Sequence, residues 1–514
     1  MPFGTAKVAL MGSGAGGVEP FVAWYSYDDE ASLYTYSGCF ERADDDDNFF
    51  IAGSTMKTAS SSAIWCYQLK VDKNGEMVSS NTTTIDNRGT GGASSQLVNT
   101  GSTYGWWTGD NWTNSSGWSY IACCRWDDDF ASSNGSATSG VRYQRGGYPY
   151  TSITGHDYLH YGRDGLRAIT GGSNDPPILV QVSYAYDSYA NYRWETSYTF
   201  IDRTNSLDTL IRGAHTTYNQ QFYAGGVAPY DTSDIIISGV AQGSPGYTPH
   251  VARVTDAASV YGNIFKMYST NSNYSAANYF KVLGEQGSTD WYMQIHDNGS
   301  DGYDVSLLKM SNFPTSYSSN FTYSWKKAWR PASSRTDYYP VQPANPIKDS
   351  SGNTYQMLAF YNTNDSNKRE LFILKRNSSG TVQWVNRIKW NSSAGTNVHD
   401  FSYPELALNA AEDMVYFSTS VPTLYPQPGY RSRALLFCLN ADGSTSGSAR
   451  FDDNWHFDID EYTGGVDETS TWTDAGAGLN LNAGFSANSY KNDATTTAPG
   501  SSGNTYEQAQ VNIA

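Results

Sequence analysis

One pattern recurs along this 514-residue chain: a turn rich in Asp, Asn and Gly leads into a short apolar or aromatic strand, and a polar turn follows. Each unit starts with such a strand, at 48–53, 104–109, 166–171, 235–239, 291–295, 355–360 and 414–418. Successive starts are roughly 55 to 70 residues apart, close to the periods of repeat folds. A near-constant spacing indicates repeated β units that can fold as one body despite the length of the chain.

A second strand follows the first in most units. These second strands lie at 65–69, 120–124, 250–254, 305–309, 371–374 and 434–438. Several of them lead into turns, at 72–75, 377–380 and 440–443. Asn, Asp and Gly tolerate the positive φ that tight hairpins need, so these turns predict antiparallel hairpins.

The composition favours many short strands over helices. Aromatic residues make up 15% of the chain, whereas charged residues make up only 16%. Aromatic residues suit a pleated, half-buried surface, and Gly, Asn, Asp and Ser suit tight turns. We therefore predict an all-β fold, a β-propeller of about seven four-stranded blades with extended N- and C-terminal arms. The third unit, 164–216, matches the pattern least well, and a β-sandwich is the structural alternative.

Both ends of the chain differ from its middle. Residues 1–20 read as an N-terminal arm with a Gly-rich link, and 21–465 read as the propeller. A propeller must be closed, and the apolar, aromatic segment 18–27 is predicted to supply a closing strand. Residues 466–514 are rich in Ala, Asn, Gly, Ser and Thr, and such a segment cannot build its own core. We expect this C-terminal extension to dock on partner chains.

The charge and the apolar pattern exclude several classes of partner. The formal net charge of −17 should repel nucleic acid, because binding to phosphates depends on Lys and Arg. No apolar run approaches the roughly 18 residues of a membrane helix, and the N-terminus lacks a convincing secretory signal. The five cysteines are too few and scattered for a disulfide scaffold, which predicts reduced structural thiols.

The sixth unit carries a resemblance to known repeats. It opens Asp349-Ser350-Ser351-Gly352-Asn353-Thr354-Tyr355, and it later has Lys375, Gly380 and Trp384 at a fixed spacing. This resembles bacterial propeller repeats with a D-x-x-G-N-x-Y opening and a K-x-x-x-x-G-x-x-x-W ending. The first unit is similar over 69–75 but lacks the Trp.

The whole layout resembles virion proteins of tailed phages from marine bacteria, cyanophages included. The shared features are a short apolar N-terminal arm, diverged propeller units and a Gly/Ser/Asn-rich end. The resemblance implies a non-catalytic, tail-associated role in tail assembly or host-receptor contact, in a virion assembled in the host cytoplasm. It also implies other virion proteins and copies of the chain itself as partners, the latter in a symmetric homo-oligomer.

Four motifs invite a chemical interpretation that the sequence does not favour. The segment Gly12–Gly17 fits G-x-G-x-x-G, but Pro20 and a β-forming run follow where a nucleotide site needs a helix. His156 and His160 lack the Glu of a zinc-protease helix. The stretch 297–302 begins like a calcium loop but lacks its ligand pattern. The acidic runs 44–47 and 127–129 suit solvated turns. We predict no cofactor, no metal and no catalytic residue.

Trp106, Trp107, Trp112 and Trp118 cluster along one stretch of the chain. They suit packing between blades, or contact with a glycan or partner if they are exposed beside Asn and Asp. The alternative function is therefore a secreted or cell-surface propeller of a bacterium that binds glycans. A propeller hydrolase is a third hypothesis, although no placed acid/base pair can be named for it.

Overall fold

The structure is a computed structural model, and its described residues form thirty-six β-strands and no helix. It describes residues 17–27, 34–44, 46–56, 64–84, 96–99, 106–113, 119–126, 139–144, 160–171, 174–187, 193–201, 209–215, 222–232, 234–243, 246–254, 262–269, 277–297, 303–312, 321–341, 344–365, 368–391, 402–421, 433–451, 456–474, 495–496, 500–501 and 506–514. The all-β class predicted from the sequence is confirmed. Within these ranges there is no helix long and apolar enough to span a membrane.

The strands of the first half form three units after an initial strand β1 (Phe21–Tyr27). Unit 1 is β2 (Tyr34–Arg42), β3 (Phe49–Met56), β4 (Ile64–Val71) and β5 (Met77–Thr84). Unit 2 is β6 (Gln96–Asn99), β7 (Trp106–Thr113), β8 (Ser119–Trp126) and β9 (Ser139–Gln144). Unit 3 is β10 (His160–Gly171), β11 (Asn174–Asp187), β12 (Arg193–Ile201) and β13 (Thr209–His215).

The second half forms units 4 to 7. Unit 4 is β14 (Phe222–Pro229), β15 (Ile235–Gly243), β16 (Gly246–Val254) and β17 (Gly262–Ser269). Unit 5 is β18 (Ala277–Gly284), β19 (Trp291–Asp297), β20 (Val305–Asn312) and β21 (Thr322–Arg330). Unit 6 is β22 (Tyr338–Pro340), β23 (Ile347–Lys348), β24 (Thr354–Asn362), β25 (Lys368–Arg376) and β26 (Val382–Asn391). Unit 7 is β27 (Ser402–Leu408), β28 (Met414–Val421) and β29 (Arg433–Asn440), completed by β1.

The two middle strands of a unit are buried because they lie between neighbours on both edges. All seven residues of β19 are buried, and so are the first seven of β24. This explains why they are visible as apolar runs in the sequence. Of the seven strands predicted to open the units, five coincide with the second strand of their unit, and 355–360 lies in β24, the third strand of unit 6 in chain order. In unit 3 the predicted segment 166–171 lies within the first strand, β10.

The units contact one another in chain order, and the last contacts the first. Strand contacts join units 1 and 2, 2 and 3, 3 and 4, 4 and 5, and 6 and 7. Units 5 and 6 share a buried cluster that contains Trp329 and Phe372. Strand β2 of unit 1 contacts β27, β28 and β29 of unit 7. Units 3 and 4 are also joined into one nine-stranded sheet by a single parallel bridge between Asp164 and Gly226.

The segment 18–27, predicted to supply a closing strand, contains β1. It pairs antiparallel with β29, in the register Val22 to Phe437 and Ala23 to Leu436. Its residues Phe21, Ala23 and Tyr25 are buried with side chains of units 1 and 7, and Val22 packs with those of units 6 and 7. The first described strand of the chain therefore completes the last unit and fills the core on both of its faces.

The C-terminal segment adds strands to the outer edges of the units. After β30 (Gly447–Arg450) come β31 (His456–Glu461), β32 (Val466–Thr469), β33 (Trp472–Asp474), β34 (Thr495–Thr496), β35 (Gly500–Ser501) and β36 (Tyr506–Asn512). We call β31–β36 the belt. Its strands pair in succession with units 6, 5, 4, 2, 1 and 7, always antiparallel. Residues 475–494, between the strands on units 4 and 2, lie outside the described part.

The belt ends beside β30, the strand that precedes it in the chain. The Ala514 amide donates to the Ser448 carbonyl at 3.1 Å, and the Ser448 amide donates to the Ala514 carbonyl at 2.9 Å. Residues 466–514 were predicted to need a surface on which to lie, and their described strands lie on sheets of the same chain. Docking of this segment on partner chains stays a prediction.

Candidate functional site

Three hairpin turns share one geometry. In each, an Asp or Asn begins the turn and its carbonyl accepts the amide of a Gly three residues later. The acceptor and donor are Asp72 and Gly75 at 2.9 Å, Asn377 and Gly380 at 2.8 Å, and Asn440 and Gly443 at 3.1 Å. The three glycines have φ of 80°, 84° and 82°. The positive φ predicted for these turns is therefore confirmed, and it favours Gly because other residues are strained there.

An aromatic ring from the preceding unit covers each of these glycines. A Cβ atom at Gly380 would lie 2.7 Å from the Trp325 ring, and one at Gly443 would lie 2.5 Å from Trp384. A Cβ at Gly75 would lie 2.6 Å from the Phe21 ring. We call these contacts interlocks. Since Phe21 belongs to β1, the interface between units 7 and 1 repeats the one between units 5 and 6 and the one between units 6 and 7.

The D-x-x-G-N-x-Y opening of unit 6 is a tight turn organised by the Asp349 carboxylate. The Asp349 carboxylate accepts the Asn353 amide at 2.8 Å and the Asn353 side-chain amide at 2.7 Å. The Tyr355 hydroxyl lies 3.5 Å from the same carboxylate, and burial together with Asp349 raises the pKa of Tyr355. The motif therefore shapes a hairpin and also contacts unit 7, because the Ser350 amide and hydroxyl donate to the Glu412 carboxylate at 2.8 and 2.6 Å.

The belt meets the outer strands of units 5 and 6 through opposite charges. Strands β21 and β26 carry five Lys or Arg residues and no Asp or Glu, whereas 456–474 carry six Asp or Glu and no Lys or Arg. Arg387 binds both oxygens of Asp460, at 3.0 and 2.6 Å. The fully buried Arg376 donates to Asp467 at 2.6 Å. Within a chain of net charge −17, this segregation favours the observed docking.

A second charged group links unit 5 to the belt. The Glu468 carboxylate forms ion pairs with Arg330 at 2.8 Å and with Arg335 at 2.6 Å. Each of these arginines also forms an ion pair with Asp304 at 3.3 Å. Burial raises the pKa of Asp304 to about 6, against the lowering effect of Arg330. Nearby, the Trp472 indole donates to Asp297 at 2.5 Å. Burial and Asp304 hold the pKa of Asp297 well above its usual range.

The raised pKa of Asp304 predicts a specific pH dependence of stability. The folded state binds this proton more tightly than the unfolded state, so the contribution of Asp304 is complete below pH about 4 and is lost as pH rises through 6. Burial lowers the pKa of His296 to about 3, which acts in the opposite direction. The contribution of Asp304 is therefore given by the difference in free energy of unfolding between the wild type and Asp304→Asn, not by the pH dependence of the wild type alone.

In thermal or urea denaturation, the stability of the wild type relative to Asp304→Asn should increase by about 1.4 kcal/mol between pH 7.5 and pH 5. His296 is present in both proteins, so its opposing contribution cancels in this comparison. A difference that does not change with pH would contradict the assignment.

The tryptophans singled out in the sequence fall in and after one strand of unit 2. Trp106, Trp107 and Trp112 lie in β7, and Trp118 lies outside the described residues. In the backbone register, Trp106 is opposite Trp126 and Trp112 is opposite Tyr120 of β8. The structure describes the backbone of these strands, so the choice between packing and ligand contact stays a prediction.

The other motifs fall partly outside the described residues. Residues 12–16, 127–129, 156–159 and 298–302 lie outside them. Asp44, from the first acidic run, accepts the Asn48 amide at 3.0 Å and forms an ion pair with Lys70 at 3.3 Å. Among the residues described here, no three His, Cys, Asp or Glu side chains form a group suited to a metal ion. Cys438 is buried as a free thiol.

Comparison with known proteins adds the following. No family model matches the chain, and no curated protein matches it. The chain is similar to a crystal structure described as an unknown-function protein from Dyadobacter fermentans, with 9% sequence identity and a TM-score of 0.34. That similarity covers 81% of this chain and 97% of the other.

Proposed function

We propose that the chain is a seven-bladed β-propeller that serves as a non-catalytic, tail-associated structural protein of a phage virion. The seven units are the blades, β1 closes the ring, and the belt runs around the perimeter. A closed ring buries the faces of sheets that could not be buried singly, and it leaves only short edges exposed. The observation that carries the proposal is the belt, which adds an outer strand to six of the seven units.

A ring tied in this way suits a part that must stay rigid while it presents loops. Each interlock fixes a hairpin against the neighbouring blade, and the belt covers outer edges that would otherwise pair with other chains. The buried carboxylates support a structural role, because each of those described bonds within the fold. Asp349 shapes a turn, Glu370 bonds Tyr338 and Asn362, and Asp297 bonds Trp472 of the belt.

In this proposal the partners are other virion proteins and copies of the chain in a symmetric homo-oligomer, with a host glycan or receptor as a further contact. The direct experiment is mass spectrometry of purified phage particles produced by infection. We expect the chain in fixed copy number relative to the major capsid protein. Absence of the chain from particles, when infected cells contain it, would refute the virion role and would leave the proposed propeller fold unaffected.

The second candidate is a glycan-binding propeller, supported by the aromatic pairs between β7 and β8. In the backbone register, four aromatic residues form two opposed pairs there, Trp106 with Trp126 and Trp112 with Tyr120. A glycan array with the purified chain tests it. Saturable binding that is lost in Trp106→Ala or Trp107→Ala, with folding retained, would favour this function. Binding that both variants retain would exclude these tryptophans.

A further inference from the structure

The part of the belt that lies over unit 5 is held differently from the parts before and after it in the chain. In the preceding part, Phe457 and Ile459 are buried, and the Tyr462 hydroxyl donates to the Pro331 carbonyl at 2.6 Å. After it, Ser470 and Trp472 are buried. Between these anchors, every residue from 463 to 469 is partly or fully exposed. We call residues 463–469 the strap.

Charge is the main side-chain contribution that holds the strap. Its strand β32 pairs with β21, in the register Asp467 to Trp329 and Glu468 to Ala328. Asp467 bonds Arg376 and also lies 3.9 Å from Lys327. Glu468 binds Arg330 and Arg335. Because the strap lacks a buried apolar side chain, loss of its two carboxylates should free it while the anchors stay in place.

The edge beneath the strap is suited to receive a strand. Opening of β32 would expose the hydrogen-bonding edge of β21, and such an edge pairs readily with an extended chain. Lys326, Lys327 and Arg330 lie along this strand, with Arg335 just beyond it. An incoming chain that replaced Asp467 and Glu468 would need carboxylates at the same spacing.

We propose that the outer edge of β21 is a gated docking site for an extended acidic segment of another protein, and that the strap occupies this site as an internal competitor. The site uses backbone pairing for affinity and the basic side chains for selectivity. Local opening of the strap, with both anchors in place, is the step that admits the partner. The proposal concerns this edge alone and does not depend on the virion role.

Hydrogen exchange of the full chain, followed by mass spectrometry, tests the gate. In the double variant Asp467→Asn and Glu468→Gln, amides of the strap should exchange at least tenfold faster than in the wild type. Amides of β24 should exchange at the wild-type rate, which shows that the ring is intact. The matched control is Asp458→Asn, because Asp458 lies on the belt and pairs with His456 of the belt itself. This control should leave the strap unchanged.

A labelled peptide with the sequence of the strap, residues 463–469, tests the docking site. We expect it to bind the full-length double variant at least tenfold more tightly than the wild type, because the internal competitor is weakened. A peptide in which Asn and Gln replace the two acidic residues at 467 and 468 should bind neither protein. Unchanged strap exchange in the double variant would overturn the gate. Absent peptide binding, or equal binding of both peptides, would overturn the acidic docking site.

Discussion

Gly443→Ala should destabilise the protein by about 3 kcal/mol, and Gly352→Ala by only about 1 to 2 kcal/mol. The two glycines have nearly the same φ, 82° and 78°, so the strain of a non-glycine backbone is matched. They differ in surroundings: a Cβ at Gly443 would lie 2.5 Å from the Trp384 ring, whereas the nearest atom to one at Gly352 is 3.7 Å away. The difference between the variants therefore measures crowding at the interlock.

The measurement is the midpoint of urea denaturation for each variant, with Trp384→Leu as the partner substitution. Trp384→Leu alone should destabilise, because it removes ring contacts between units 6 and 7. The double variant should lose less stability than the sum of the losses in the two single variants, because Leu at position 384 leaves room for the new methyl group at position 443. Equal losses for Gly443→Ala and Gly352→Ala would show that the interlock contributes no crowding and would contradict its role.

Val22→Asp should have the largest effect of any single change considered, a loss of about 4 kcal/mol or more. Val22 is fully buried, and its strand β1 is paired on one edge with β29 and on the other with β36. A carboxylate at this position would be buried without a partner in the strand that closes the ring. We expect the variant to lose its cooperative transition or to be insoluble on expression.

Val78→Asp is the matched control for Val22→Asp. Val78 is 56% exposed on β5, so the same change there should alter stability by less than about 0.5 kcal/mol. Both variants are compared by soluble yield and urea denaturation. A soluble Val22→Asp with a wild-type midpoint would mean that β1 does not close the ring.

The sequence made the middle strands of the units predictable but not their edges. Strands such as β24 and β29 are buried over most of their length, and this produces runs such as 434–438 that cannot be mistaken for turns. Edge strands such as β2 and β27 mix polar and apolar residues, so local composition does not separate them from the turns. Their position depends on pairing with a partner distant in the chain.

The belt was the hardest part to predict. Some of its strands have only two residues, too few to show the alternation that identifies a strand. Low apolar content suggested a segment with no core of its own, which is correct, yet the surface that holds it belongs to the same chain. One signal was available: basic strands at 322–330 and 382–391, followed by an acidic stretch at 456–474, in a chain that is acidic overall.

The repeat motif in unit 6 could be recognised from the sequence, but its contacts with neighbouring units could not. Its Gly380 and Trp384 were recognised by spacing, but the spacing does not show that the two residues contact different neighbours. Gly380 receives Trp325 from unit 5, and Trp384 covers Gly443 of unit 7. The repeat motif therefore contains one half of each of two successive interlocks, and each interlock is completed by a residue of a neighbouring unit.

The full circuit of the belt is tested most directly by a disulfide between its C-terminal end and β30, the strand that precedes it. Ser448 and Ala514 exchange two backbone hydrogen bonds, which places their Cα atoms about 5.5 Å apart, within reach of a disulfide. The protein with Ser448→Cys and Ala514→Cys should form this intramolecular bond under mild oxidation, as identified by peptide mapping. The pair Ser311→Cys and Ala514→Cys, with one cysteine on unit 5, should not. Failure of the first pair to cross-link, or equal cross-linking of both, would contradict a ring encircled by its own C-terminus.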